Sequence, residues 1–144
     1  MDKSILETFD QSLTRCNATP GFLDRFYDLF LASSPKVKEK FAETDFVKQK
    51  MALRESLRLM RLAATDGEGG PGRHLKDLAL SHSRRRLDIG GGLYDFWLDS
   101  LLAAVKECDP EFGSEIEEAW ESIMTEGISY LISRYHGPPQ RKSG

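Results

Sequence analysis

The chain has 144 residues, 40% of them hydrophobic, and a formal net charge of −3. This length suits one domain, and the composition is that of a soluble globular protein, which excludes the disordered and collagen-like classes. With 23 acidic and 20 basic residues, the chain lacks the basic footprint of a nucleic-acid-binding protein. The two cysteines, Cys16 and Cys108, form no C-x-x-C pair, so we expect free thiols in a reducing compartment.

We expect no signal peptide at the amino terminus and a disordered tail at the other end of the sequence. The first residues are charged and amphipathic and lack the apolar h-region of a signal peptide. The longest apolar runs fall short of the ~18 residues that a membrane-spanning helix needs. We therefore expect a cytoplasmic protein without membrane or nucleic-acid partners. Residues 137–144 are polar, proline-rich and basic, which predicts a disordered tail after a single domain over residues 1–136.

Helical spacing dominates the first half of the chain. Apolar residues recur at intervals of three and four, which predicts an all-α fold of about seven helices. Thr19-Pro20 and Ser34-Pro35 each predict a helix start, with a capping side chain before a first-turn proline. Thr44-Asp45 predicts a third start. One face of the first helix is expected to carry Ile5, Phe9 and Leu13, and the second helix carries Phe22, Phe26 and Phe30 at intervals of four.

Glycine and proline punctuate the second half. The glycine-rich residues 66–72 predict a connector, and they lack the pattern of a phosphate-binding loop. A helix is expected from Arg73 to about Arg85, and the glycines at 90–92 should precede an apolar helix that ends at Asp109-Pro110. Ser114 and Glu117 predict a capping box at the start of the last helix. That helix is expected to bury Ile116, Trp120, Ile123, Ile128, Leu131 and Tyr135.

Residues in a catalytic arrangement are scarce. The three histidines, His74, His82 and His136, stand in no zinc-binding motif, and no predicted strand could carry a hydrolase nucleophile. We therefore assign no catalytic residue. His82 differs in its setting because Leu78 precedes it by one helical turn and Leu75 by about two. A lone histidine on such an apolar face is more often a packed core or rim residue than a ligand.

A combination of spacings resembles the bacterial single-domain globins and the globin domain of flavohemoglobins. In that pattern a tyrosine is followed after 8 residues by a proline and after 14 by a phenylalanine, as Tyr27, Pro35 and Phe41 are here. Gln49 and Leu53 are similar to the glutamine and leucine of the distal helix. Further resemblance lies in Leu78 and His82 of the proximal helix, in Tyr94 with Leu101-Leu102, and in Ala119-Trp120.

The resemblance implies a globin fold around heme b, in which an imidazole ligates the iron. His82 would be that metal ligand. Tyr27 and Gln49 would donate hydrogen bonds to oxygen in the distal pocket, where donors are worth more because water is excluded. The implied haem contacts are Phe41, Leu53, Leu78 and Tyr94.

Two departures from the flavohemoglobin pattern affect the expected chemistry. Tyr94 follows His82 by 12 residues, about two more than in that pattern, so the role of Tyr94 is less secure. Tyr135 stands where the pattern has a glutamate that strengthens the proximal imidazole. Without this carboxylate we expect a weaker electron push toward the iron, which argues against peroxidase-like chemistry.

Three functions follow from these expectations. The first is a haem globin that reversibly binds oxygen, nitric oxide or carbon monoxide, with nitric oxide dioxygenase activity if a separate reductase supplies electrons. The second is a haem-based gas sensor or signalling module that acts through a protein partner. The third is a globin-fold regulatory domain without haem.

Overall fold

The computed structural model describes residues 1–65, 72–82 and 91–134, and within these ranges the side chains at 72–73, 80–82 and 91 lie outside the description. No strand occurs in these ranges, which confirms the all-α prediction. Tyr135, His136 and the predicted tail at 137–144 lie outside the described residues. The helices are α1 (Lys3–Ala18), α2 (Phe22–Ser33), α3 (Pro35–Lys40), α4 (Phe46–Thr65), α5 (Gly72–His82), α6 (Gly91–Cys108) and α7 (Ser114–Ser133).

The start of α2 differs from the prediction. Thr19 ends α1: its backbone amide donates to the Cys16 carbonyl, and its hydroxyl donates to the carbonyls of Arg15 and Cys108. The helix start falls instead after Gly21, whose φ of 82° is left-handed and whose cap has no side-chain hydrogen bond. Thr19-Pro20 was therefore wrong as a capping signal, because the threonine hydroxyl is used for the preceding helix and for the end of α6.

Two other predicted starts are confirmed. The Ser34 hydroxyl accepts a hydrogen bond from the Lys36 amide at 3.2 Å, and Pro35 fills the first helical position of α3. The Asp45 carboxylate accepts from the amides of Val47 and Lys48 at the start of α4. Both side chains therefore satisfy amides that have no partner within their helix.

The later helix boundaries bring two corrections. α7 has Gly113 as its N-cap with no side-chain hydrogen bond, so the predicted capping box of Ser114 and Glu117 is wrong. Ser114 is already helical there, so it cannot act as the cap. The helix α6 begins at Gly91, inside the glycine run rather than after it. Its predicted end before Asp109-Pro110 is confirmed, whereas the predicted end of α5 near Arg85 lies outside the described residues.

One hydrophobic core joins the seven helices of the described ranges. The aromatic ladder of Phe22, Phe26 and Phe30 is buried as predicted, and so are the predicted α7 residues from Ile116 to Leu131. On α1, Ile5 and Leu13 are half-buried and pack against the core. The buried residues of that helix are Leu6, Phe9, Ser12 and Cys16. A polar serine thus takes an inner position, because its hydroxyl is hydrogen-bonded to Asp109 and Trp120.

A buried polar network ties α1 to the turn between α6 and α7. The Asp109 carboxylate, fully shielded from solvent, accepts from Ser12 Oγ at 2.6 Å, Arg15 Nε at 2.7 Å and the Glu111 amide at 2.9 Å. Trp120 Nε1 donates to Ser12 Oγ at 2.9 Å. The network satisfies the buried polar atoms of three elements and fixes α1 against α7.

Helix packing leaves space on one side of the core. α2 packs against α3 and α6, α1 against α7, and α4 against α5 and α7.

Among the described residues, no helix combines the length and the apolar character that crossing a bilayer requires.

Candidate functional site

A cavity of about 410 Å³ lies among the helices and is lined by residues of α2, the end of α3, and α4 to α7. Its volume falls within the range of pockets that hold small molecules and cofactors. Leu53, Met60 and Leu131 form buried parts of its wall, while Glu55 and Asp77 are exposed lining residues. The interior is therefore apolar and the carboxylates stand toward solvent.

Aromatic rings build the wall contributed by α2 and α3. Phe30 lines the cavity and stacks on Phe26 with ring centroids 5.4 Å apart. Phe41, the residue that ends α3, is half-buried and meets the Phe30 ring edge-on at 5.5 Å. Trp97 of α6 also lines the cavity and lies edge-on to Phe26 at 6.1 Å. These interlocked rings hold Phe41 at the cavity in one orientation.

The two predicted distal residues are brought together. Tyr27 is buried on α2 and Gln49 is half-buried in the first turns of α4, and both line the cavity. The Tyr27 hydroxyl donates a hydrogen bond to the Gln49 backbone carbonyl at 3.2 Å. Burial raises the pKa of Tyr27 to about 12, and a hydrogen bond with the Gln49 side chain works in the opposite direction. The tyrosine is therefore a neutral donor at neutral pH.

The α5 helix borders the cavity through Asp77 and the half-buried Leu78. Leu75, on the same helix, is fully buried in the core. His82 is the last residue of α5, four residues after Leu78, and its side chain lies outside the described residues. The predicted pair of Leu78 and His82 is thus helical, and the leucine borders the cavity. His74, near the start of α5, is half-buried.

Tyr94 of α6 carries an unusual buried hydroxyl. The residue is 7% exposed and lines the cavity, and its hydroxyl has no hydrogen-bond partner among the described residues. Burial alone raises the pKa of this phenol, so it is protonated and available as a donor. A buried hydroxyl without a partner is costly, which points to a polar acceptor that completes it.

Outside the cavity, the titratable residues of the described part of the chain form neither a metal site nor a reactive thiol. No three histidine, cysteine, aspartate or glutamate side chains of that part come together as a metal site. Cys16 and Cys108 are free thiols, and burial raises the pKa of Cys16 to about 12, which leaves it protonated and unreactive.

The architecture matches a solved structure. A Pseudomonas aeruginosa protein, described as structurally highly homologous to a human hemoglobin, is 42% identical to this chain with a TM-score of 0.86. The match covers 93% of this chain and 99% of that one. The chain belongs to the globin family. Comparison with protein-family models and with curated proteins found no match.

Within this globin, sequence reasoning identified part of the cavity wall. Phe41, Leu53, Leu78, Tyr94, Tyr27 and Gln49 all line the cavity, as does Leu131, which was predicted only as core. Met60, Leu59 and Trp97 were not singled out as site residues. Their signal in the sequence was the apolar spacing of α4 and α6, which marks a buried face but cannot distinguish a filled core from an open cavity.

Proposed function

We propose that this globin binds heme b in the cavity and reversibly binds a diatomic gas. The observation that carries the proposal is the cavity itself: about 410 Å³, apolar inside, and lined by six of the seven candidate haem-pocket residues. The family membership supports it independently, because a globin packs its helices around a haem pocket.

The residues at the cavity suit a flat, mostly apolar ligand. Phe30, Phe41, Leu53 and Leu78 offer ring faces and aliphatic groups that would pack against a macrocycle. The Tyr94 hydroxyl, which has no partner among the described residues, could donate to a polar group at such a ligand. These features fit a haem better than they fit a close-packed core, because a core of this size would normally leave no void.

His82 is the residue that we propose as the iron ligand. The support is its register on α5, four residues after the cavity-lining Leu78. When bound, haem would supply an iron that takes up the gas. A neutral imidazole is the ligand that globins use for this purpose.

Tyr27 and Gln49 are proposed to donate hydrogen bonds to oxygen. The Tyr27 hydroxyl has one proton, and it is donated to the Gln49 carbonyl. To donate to oxygen, the Tyr27 hydroxyl would have to give up its hydrogen bond to the Gln49 carbonyl. The stabilisation of bound oxygen would then be only the difference in free energy between these two hydrogen bonds. The Gln49 side chain also hydrogen-bonds Tyr27, but a side-chain amide has two N–H donors, so one of them is left for oxygen. The two residues should therefore contribute unequally.

An absorption spectrum tests the proposal directly. The purified protein, titrated with hemin, should develop a Soret band at one equivalent and shift it when the reduced protein takes up carbon monoxide. His82→Ala should abolish stable haem retention or change the spectrum, whereas His74→Ala, the matched control on the same helix, should leave it intact. A normal spectrum for His82→Ala together with loss in His74→Ala would refute the assignment.

Gas dissociation rates test the distal residues. One net hydrogen bond contributes about 0.5–1.5 kcal/mol, which corresponds to roughly threefold to tenfold in a rate. We expect Gln49→Leu to speed oxygen release within this range, and Tyr27→Phe to act at its lower end because the Gln49 carbonyl competes. Carbon monoxide should respond less in both variants, since its outer atom carries less charge. Unchanged oxygen rates in both would mean that neither side chain reaches the ligand.

Nitric oxide dioxygenase activity would require, in addition, electrons from a reductase. It is tested by measuring nitric oxide consumption by the oxygenated protein with and without a reductase. The cytoplasm remains the proposed compartment, which agrees with two cysteines that are both thiols.

A further inference from the structure

The helices α4 and α7 approach each other closely beside the cavity. Gly127, buried in the middle of α7, faces Met60 of α4: a methyl group at Gly127 would lie 2.8 Å from Met60 Cγ and 3.2 Å from Met60 Sδ. The first distance is an overlap, and the second is tighter than an ordinary van der Waals contact. The glycine is also an unfavourable residue for a helix interior, where alanine is preferred. Its position is therefore explained by packing and not by helix formation.

Met60 stands between this glycine and the open space. It is 3% exposed, so its side chain cannot turn out to solvent, and it forms part of the cavity wall. Leu131, one helical turn after Gly127 on the same helix, lines the cavity beside it. Because Met60 borders the cavity, the cavity is open space into which a displaced Met60 can move.

We propose that Gly127 is a positioning residue that sets the depth of the cavity, and that Met60 is the inner wall that limits how far a planar ligand enters. The absent side chain at Gly127 lets Met60 withdraw toward α7. This inference rests on the proposed haem binding only for the identity of the ligand. The effect of Gly127 and Met60 on the size of the cavity does not depend on which ligand binds there.

The variant Gly127→Ala tests the proposal. Forcing a methylene-sized group into a packed core is destabilising, and here the strain is relieved by Met60 moving into the cavity. We expect haem transfer from Gly127→Ala to a haem-scavenging apoprotein to be roughly fivefold to a hundredfold faster than from the parent protein. In the haem-free protein, anilinonaphthalene sulfonate should bind the cavity more weakly in the same variant.

Two further variants separate the cavity from general packing. In Gly127→Ala with Met60→Ala, the shortened residue leaves room for the new methyl group, so haem loss and dye binding should return close to those of Met60→Ala alone. Gly92→Ala is the matched control, because a methyl group at Gly92 meets no atom within 4 Å. It should change neither measurement.

The outcomes are distinguishable. If Gly127→Ala lowers the unfolding free energy of the haem-free protein but leaves haem loss and dye binding unchanged, the glycine is only a packing residue and the inference is overturned. Should Gly127→Ala fail to fold, Met60→Ala decides: stronger dye binding supports the inference, and unchanged binding overturns it. A parent protein that retains no haem refutes the proposed function, while the dye measurements still test the cavity wall.

Discussion

Replacing Asp109 by asparagine should destabilise this globin, because the Asp109 carboxylate is the buried centre of the network between α1 and the turn before α7. The carboxylate is fully shielded and accepts two hydrogen bonds from Arg15, one from Ser12 and one from the Glu111 amide. Removing one partner of a buried ion pair typically costs about 3–5 kcal/mol. The Arg15 side chain is 25% exposed and also contacts Glu111 at 3.2 Å, so part of its charge remains solvated. We therefore expect about 2–4 kcal/mol.

The assay is urea unfolding of the haem-free protein at neutral pH, because a bound ligand would add its own binding energy to the apparent stability. Glu107→Gln is the matched control. Its partner is Arg25, with Arg25 Nε 2.6 Å from Glu107 Oε2, but the two side chains are 46% and 48% exposed. An exposed pair contributes little to stability, because water screens the two charges. Equal losses in the two variants would refute the argument that burial makes the Asp109 pair important.

The same variant gives a pH signature. Burial acts to raise the pKa of Asp109, but the hydrogen bonds from Arg15, Ser12 and the Glu111 amide outweigh it and hold the pKa below the ordinary value of 3.8. A carboxyl whose folded pKa is depressed stabilises the protein above its unfolded pKa, and this contribution is lost as the pH falls through the folded value. The stability difference between parent and Asp109→Asn should stay constant from neutral pH down to about pH 5 and shrink below about pH 4. A difference that grows on acidification would contradict the assigned direction.

Three further substitutions test features of the fold, each by chemical unfolding. Gly21→Ala places a side chain at a φ of 82° and should cost about 1–2 kcal/mol, whereas a neutral result would mean that the turn relaxes. Ser34→Ala removes the side-chain cap of α3 and should cost about 0.5–2 kcal/mol, with Ser34→Thr largely retaining stability. Trp120→Phe keeps a ring beside Phe9 but loses the hydrogen bond to Ser12, so we expect the free energy of unfolding to fall by about 1–3 kcal/mol. If the double variant Ser12→Ala/Trp120→Phe loses no more stability than either single variant, the two residues act as one unit.

Local patterns in the sequence were sufficient for most helices. The phenylalanine ladder of α2 and the caps at Ser34 and Asp45 act within one or two turns, so the residues that define them are neighbours in the sequence. The same local signals failed at Thr19 and Ser114. At Thr19 a partner from a distant helix, the Cys108 carbonyl, decided which group the hydroxyl serves.

Long-range partners also limited what could be predicted about the site. The sequence identified Tyr27 and Gln49 as neighbours in space, but it could not indicate that the tyrosine proton is donated to a backbone carbonyl. Ser12 gave no sign of burial, because its partners Asp109 and Trp120 are 97 and 108 residues away. The role of Gly127 depends on a single contact between α4 and α7, which no periodicity encodes.

The distance in sequence between Ser12 and Trp120 has a consequence for the order of folding on the ribosome. At a synthesis rate of about 5–20 residues per second, the 108 residues between them take roughly 5–20 seconds to make. Throughout that interval the apolar face of α1 around Phe9 lacks its ring partner on α7. Among the helices that α7 packs against, α1 comes earliest in the chain, so its face around Phe9 waits longest for that cover.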